Sequence, residues 1–177
     1  SEKERAEEEL KRIEDELREA IKRSEDRLRR IEKELRDREK RSEEELRRLE
    51  EELRRLAEER ISEETVEKVA RDIDEENKKH EDEVRKTEEK VKTENERHKK
   101  EVEDIARKVK RSIEELKRRN GDRKIIEDLK RLLREFERAV EESNERLRRL
   151  LEEFKEKVKE SNKRSRELLR RMEEEVR

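Results

Sequence analysis

Two histidines, His80 and His98, are the side chains in this sequence best suited to acid–base chemistry, because cysteine and tyrosine are absent. Each follows an asparagine by three residues, in the runs Asn77-x-x-His80 and Asn95-x-x-His98, so each pair shares one face of a helix. Imidazole changes charge near a pH of about 6.5, and its neutral form both donates and accepts a hydrogen bond. The two pairs therefore predict polar sites that respond to mild acid.

Helices must position these residues, because the composition is unsuited to other folds. Of 177 residues, 64% are charged and only 25% are hydrophobic, with no proline and a single glycine. Low apolar content is typical of disordered chains. Here, however, 58 acidic residues nearly balance 56 basic ones, and the apolar residues recur in a regular order. The sequence therefore predicts an all-α protein.

Two breaks in the helical pattern predict three long helices, at about 2–60, 62–119 and 122–176. Connections this short force neighbouring helices to run antiparallel. The apolar pattern repeats every 18 residues, which is five turns at 3.6 residues per turn, so the stripe follows the helix without drifting. We therefore predict one domain, residues 1–177, folded as a straight, untwisted, antiparallel three-helix bundle.

Capping residues mark both breaks. Ser62 is a suitable N-cap for the second helix, and Ile61 and Val66 are spaced to form a hydrophobic staple around it. At the second break Gly121 is expected to take the left-handed conformation that ends a helix, and Asp122 follows as the next N-cap.

Folding the chain back at these breaks predicts two polar layers inside the bundle. Facing positions then have residue numbers that sum to about 122 for helices 1 and 2 and about 242 for helices 2 and 3. One predicted buried network comprises Ser24, Asn95, His98, Ser143 and Asn144. The other comprises Ser42, Asn77, His80, Ser161, Asn162 and Ser165.

The two layers allow two functional interpretations. Burial favours neutral imidazole, so protonation of His80 and His98 would break the pairing, place charge in the core and lower stability in acid. Alternatively, the layers only specify helix register in an inert structural scaffold or a self-assembling bundle.

Other functions are not predicted. The apolar seams show no carboxylate to orient an imidazole, so we expect no enzyme and no small-molecule substrate. The histidines lie about 27 Å apart along one helix, too far to share an ion, and neither a metal site nor a cofactor is expected. Mixed charge and missing aromatic stacking residues disfavour nucleic acid. No run approaches the roughly 20 apolar residues of a membrane span and no targeting signal is recognised, so we expect a soluble protein.

The third helix carries a wider apolar face than the others. Its apolar positions are doubled at Leu132 with Leu133 and at Leu150 with Leu151, and it contains both phenylalanines. The simplest interpretation is that this face packs against both neighbouring helices. Part of it could instead support self-association, or contact a lipid membrane once acid opens the bundle.

The sequence as a whole resembles computationally designed parametric helical bundles. The resemblance lies in equal helices, minimal loops, one internal repeat, and near-exclusive use of Glu, Lys and Arg outside the seams. The Ser/Asn/His layers are similar to those of designed bundles whose histidine networks make them pH-responsive. This resemblance implies a synthetic protein in which acid disrupts the networks at His80 and His98. It also implies that membrane disruption at endosomal pH could follow, as in some members of that class.

Overall fold

The computed structural model describes residues 1–59 and 61–176 and contains three long helices. They are α1 (Glu2–Glu58), α2 (Glu63–Arg118) and α3 (Arg123–Val176). No strand occurs within the described residues. The predicted all-α three-helix bundle is confirmed. The predicted end of the first helix, residue 60, lies outside the part of the chain that the structure describes.

The chain divides into two compact units, and all three helices contribute segments to each of them. Unit 1 comprises Ser1–Ile31 and Val91–Arg148, and therefore contains the connection between α2 and α3. Unit 2 comprises Glu32–Lys90 and Arg149–Arg177, and contains the connection between α1 and α2. Each unit has its own apolar core and its own histidine. That residues 1–177 behave as one domain stays a prediction.

The core of unit 1 is formed by apolar residues spaced three and four apart, which fall on one face of each helix. Leu129 and Phe136 of α3 are 0% exposed and lie at its centre. The buried residues around them are Ala6, Ile13, Leu17, Ala20, Ala106, Val109, Ile113, Leu116, Ile125, Ile126, Leu133 and Val140.

The core of unit 2 contains a smaller apolar cluster. Its buried members are Leu53, Val66, Val69, Ile73 and Met172. Ile61, which precedes α2, packs against this cluster together with Val66, as a hydrophobic staple requires.

Much of the wide apolar face of α3 is covered within the chain, although Leu150 and Leu151 are only half-buried. Ile125 and Ile126 are both buried, and Leu132 packs against the unit 1 core beside the buried Leu133. Among the residues whose burial is described, no large hydrophobic side chain is exposed. Within residues 1–59 and 61–176, no helix combines the length and apolar character needed to cross a bilayer. Self-association through α3 stays a prediction.

The connection between α2 and α3 is a Schellman motif with an unexpected residue in the left-handed position. Asn120 has a φ of 51°, whereas Gly121 was expected to take that conformation. The Gly121 N–H donates to the Leu116 carbonyl at 2.8 Å, and the Asn120 N–H donates to the Lys117 carbonyl at 3.2 Å. Space favours glycine at position 121, because a Cβ there would lie only 3.0 Å from the Leu116 carbonyl oxygen.

Side-chain caps begin the helices that follow each connection. The Thr65 N–H donates to Ser62 Oγ at 3.3 Å, and the Lys124 N–H donates to Asp122 Oδ1 at 2.9 Å. These bonds cap backbone N–H groups of the first helical turn, and the Thr65 N–H also donates to the Ser62 carbonyl oxygen at 3.1 Å.

Candidate functional site

The histidine site of unit 1 joins α1 to α2. Ser24 Oγ lies 2.5 Å from His98 Nε2, and the Ser24 side chain is buried with a relative exposure of 4%. The two residues face each other in the register that the helix connections impose. We refer to this contact and the side chains around it as the His98 site.

The other residues predicted for this layer do not join the contact. Asn95, Ser143 and Asn144 are half-buried, and no hydrogen bond between them and His98 occurs within the described residues. Asn95 Oδ1 is buried without a hydrogen-bond donor. The five-residue network expected here is thus reduced to one bonded pair.

The 18-residue repeat explains why Asn95 lacks a donor. In unit 2 the equivalent residue, Asn77, accepts a hydrogen bond from Ser165. The position in α3 that corresponds to Ser165 is occupied in unit 1 by Leu147, which is buried and has no hydroxyl group. Because leucine stands in the place of serine, unit 1 lacks the hydrogen bond that Ser165 donates to Asn77 in unit 2.

Electrostatics at the His98 site disfavour positive charge on the imidazole. Burial lowers the pKa of His98, and the positive charge of Arg27 lowers it further, while Glu101 acts in the opposite direction. Burial is also the main cause that lowers the pKa of Arg27 from its ordinary value. The Nε and Nη2 atoms of Arg27 are buried without hydrogen-bond partners. Protonation of His98 would thus place a second positive charge next to the poorly solvated guanidinium of Arg27.

A cleft of ≈ 620 Å³ borders the His98 site. Ser24, Arg27 and His98 line it, and α3 contributes the uncharged Phe136. The charged groups that line the cleft are Arg23, Asp26, Arg27 and Arg30 from α1 and Glu94, Arg97 and Glu101 from α2.

The histidine site of unit 2 has different partners. The His80 side chain is 13% exposed, and its Nδ1 lies 3.3 Å from Asn162 Oδ1 of α3. Its Nε2 lies 2.6 Å from Glu45 Oε2 of α1 and 4.0 Å from Glu76 Oε2, one turn earlier on α2. We refer to Glu45, Glu76, His80 and Asn162 as the His80 site.

The remaining residues of the second layer lie next to the His80 site. Ser165 Oγ lies 3.2 Å from Asn77 Oδ1 and 2.8 Å from the Asn162 carbonyl oxygen, so its single proton serves two acceptors. The amide nitrogen of Asn77 is buried without an acceptor. Ser42 and Ser161 are half-buried and line a cavity of ≈ 290 Å³ together with Asn77 and His80.

The apolar seams were found to contain no carboxylate that could orient an imidazole, but two carboxylates reach His80 from outside the seams. Glu45 and Glu76 are 48% and 53% exposed, and they reach the imidazole from the rim of the layer. The spacing of Glu76 and His80, four residues on one helix, is a signal that sequence reasoning could have used. Glu45 gave a weaker signal, because its charge marks it as a surface residue.

Position 45 also explains why the two histidines bond differently. Glu45 follows Ser42 by three residues, and the equivalent residue after Ser24 is Arg27. The Glu45 carboxylate contacts His80 Nε2. Arginine has no acceptor to offer at the equivalent position, and His98 Nε2 contacts the Ser24 hydroxyl group instead. One residue in the repeat therefore sets the charge that each imidazole faces.

Three atoms of the His80 site are arranged as metal ligands could be. Single ligand atoms from Glu45, Glu76 and His80 all lie within 4.8 Å of one another. Imidazole nitrogen and carboxylate oxygen are common ligands of zinc and related ions.

The comparisons with known proteins support the fold. The chain is similar to a solved structure described as a computationally designed three-helix bundle, with a TM-score of 0.66 and 19% sequence identity. The match covers 99% of this chain and 90% of the other. No protein-family model matches the sequence, and no curated protein matches it. The fold defines the class of the protein as a three-helix bundle.

Proposed function

We propose that this protein is a designed, non-enzymatic structural bundle whose stability decreases in mild acid through His98. The observation that carries the proposal is the buried contact between Ser24 and His98 beside Arg27, whose Nε and Nη2 atoms are buried without hydrogen-bond partners. Neutral imidazole fits this site, because it pairs with the serine hydroxyl and adds no charge next to Arg27. Fold similarity to a designed bundle supports the structural part of the proposal.

The direction of the pH effect follows from the lowered pKa of His98. In the unfolded chain an imidazole binds its proton with a pKa of about 6.5. The folded protein binds the same proton less readily, because burial and Arg27 oppose it. Stability is therefore complete above the unfolded pKa and decreases as pH falls from there towards the lowered folded pKa.

The charged groups next to the two histidines differ. Glu45 and Glu76 lie next to His80. Arg27 lies next to His98 and opposes a positive charge on its imidazole. His80→Asn is therefore the natural comparison for His98→Asn.

Exchange of each histidine for asparagine tests the proposal. Urea unfolding at pH values of about 5 and about 7.5 gives the midpoint difference for the parent, His98→Asn and His80→Asn. We expect the difference to shrink in His98→Asn and to persist in His80→Asn, which serves as the matched control. A parent-sized difference in His98→Asn would contradict the proposal.

A second candidate function is an inert scaffold in which polar contacts only specify register. The observation that favours it is the pairing of Ser165 with Asn77 and with the Asn162 carbonyl group, because these uncharged groups hold α2 and α3 in one alignment. This alternative predicts the same urea midpoint for the parent at both pH values.

A further inference from the structure

The His80 site presents two carboxylates and an imidazole to one point in space. Around a tetrahedral ion with bonds of about 2.0–2.2 Å, neighbouring ligand atoms lie about 3.4 Å apart. His80 Nε2 is 2.6 Å from Glu45 Oε2 and 4.0 Å from Glu76 Oε2. All three ligand atoms already lie within 4.8 Å of one another, so modest shifts of the two exposed carboxylates would place them around one ion.

The second ring nitrogen of His80 is held as a metal ligand requires. When Nε2 binds an ion, the proton must reside on Nδ1, and a nearby acceptor normally fixes that tautomer. Asn162 Oδ1 lies 3.3 Å from Nδ1 and is such an acceptor. In this arrangement the Nε2 lone pair is directed towards Glu45 Oε2, 2.6 Å away, so an ion held there would contact both atoms.

The cavity beside the site provides space for the remaining ligands. A three-ligand site leaves at least one coordination position open to water or a small anion. Asn77, which is 5% exposed, lines this cavity, and its buried amide nitrogen lacks an acceptor. An oxygen ligand on the ion would supply that acceptor.

We propose that Glu45, Glu76 and His80 form a binding site for one divalent transition-metal ion of the Zn²⁺, Co²⁺ or Ni²⁺ type. The imidazole ligand favours these ions over Mg²⁺ and Ca²⁺, which prefer sites made only of oxygen atoms. Asn162 is a positioning residue that orients the imidazole. The proposal is independent of acid sensitivity at His98, because it concerns a different unit and different residues.

Cobalt binding followed by NMR tests the site directly. The chain has only two histidines, so its imidazole Cε1–H signals are two, and His80→Asn and His98→Asn assign them. We expect substoichiometric Co²⁺ at a pH of about 7.5 to broaden or shift the His80 signal and to leave the His98 signal unchanged. Response of neither signal, or an equal response of both, would overturn the proposal.

Carboxylate variants separate the site from general binding to an acidic surface. Glu45→Gln and Glu76→Gln should each weaken Co²⁺ binding, while Glu44→Gln, an exposed neighbour, should leave it unchanged. Asn162→Leu should weaken it by about 10–100-fold, as loss of an outer-shell partner does elsewhere, and circular dichroism checks that this variant folds. An unchanged His80 response in both Glu45→Gln and Glu76→Gln would refute the three-ligand site.

The internal repeat offers a gain-of-function test. Unit 1 already has Glu94 four residues before His98, as Glu76 precedes His80, but it has Arg27 where unit 2 has Glu45. Arg27→Glu should therefore make the His98 signal respond to Co²⁺. Asn144, the counterpart of Asn162, makes no bond to His98 in the structure, so this second site should bind more weakly than the first. Absence of any His98 response in Arg27→Glu would contradict the assignment of Glu45 as a ligand.

Discussion

Replacement of Phe136 by alanine tests whether burial at the His98 site is coupled to acid sensitivity. Phe136 is 0% exposed, belongs to the unit 1 core and also lines the cleft beside Ser24 and His98. The substitution should have two separable effects. It removes apolar packing, which lowers stability at every pH, and it admits water towards His98, which weakens the pH dependence of stability.

The size of the first effect follows from the burial of the ring. A fully buried phenylalanine removes roughly 150–250 Å² from water, which at about 25 cal/mol per Å² amounts to roughly 4–6 kcal/mol. Alanine retains a small part of this contribution and the core relaxes only partly, so we expect Phe136→Ala to lower the free energy of unfolding by about 3–5 kcal/mol.

The second effect follows from the cause of the lowered pKa. Burial is the largest influence on His98, ahead of Arg27. Water in an enlarged cleft would reduce that influence and bring the folded pKa closer to the unfolded one. The difference in unfolding free energy between pH values of about 7.5 and about 5 should then be smaller than in the parent.

Phe154→Ala provides the matched control. Phe154 is 2% exposed and belongs to unit 2, so its replacement should also cost about 3–5 kcal/mol. Urea titrations of the parent and both variants at the two pH values give the free energies needed for this comparison. Phe154→Ala should keep the pH-dependent difference of the parent. If Phe136→Ala kept that difference as well, burial of His98 would not be the source of acid sensitivity.

Further predictions concern the connection between α2 and α3 and the behaviour of the bundle in acid. Asn120→Gly should stabilise the protein by up to about 1 kcal/mol, because glycine takes a positive φ at lower cost. Gly121→Ala should destabilise it by about 1 kcal/mol, because the added Cβ lies too close to the Leu116 carbonyl oxygen. Thermal denaturation of both variants checks these signs. If acid opens the unit 1 core and exposes its apolar face, dye leakage from lipid vesicles should be greater at a pH of about 5 than at about 7.4, and His98→Asn should suppress it. Equal dye leakage at both pH values would contradict acid-triggered membrane disruption.

The fold could be predicted because its information is local and repeated. Apolar residues at helical spacing define the buried faces, and the caps at Ser62 and Asp122 mark where α2 and α3 begin. The choice between Asn120 and Gly121 for the left-handed position was not predictable from residue preference alone. The close approach of the Leu116 carbonyl group to Gly121 is likewise a property of the folded turn.

The histidine sites were only partly accessible to the same reasoning. Helix register alone aligns Ser24 with His98 and His80 with Asn162, and these pairs are in contact. Register does not specify which long charged side chain bends from the rim into a layer. Glu45 does so from a position that is 48% exposed, and no apolar pattern distinguishes it from its acidic neighbours.

The two histidine sites show how a single residue can change the chemistry of a repeated motif. Both units carry Ser on α1, the Glu-Asn-x-x-His run on α2, and the Ser-Asn pair on α3. Apart from Leu147 in the place of Ser165, they differ at the position three residues after the α1 serine, which is Arg27 in unit 1 and Glu45 in unit 2. An arginine beside the imidazole opposes any added cation, so unit 1 is suited to lose stability when a proton arrives. A glutamate there attracts a cation to Nε2, so unit 2 is suited to hold one. Arg27→Glu should therefore both reduce the acid sensitivity of unit 1 and create metal binding at His98.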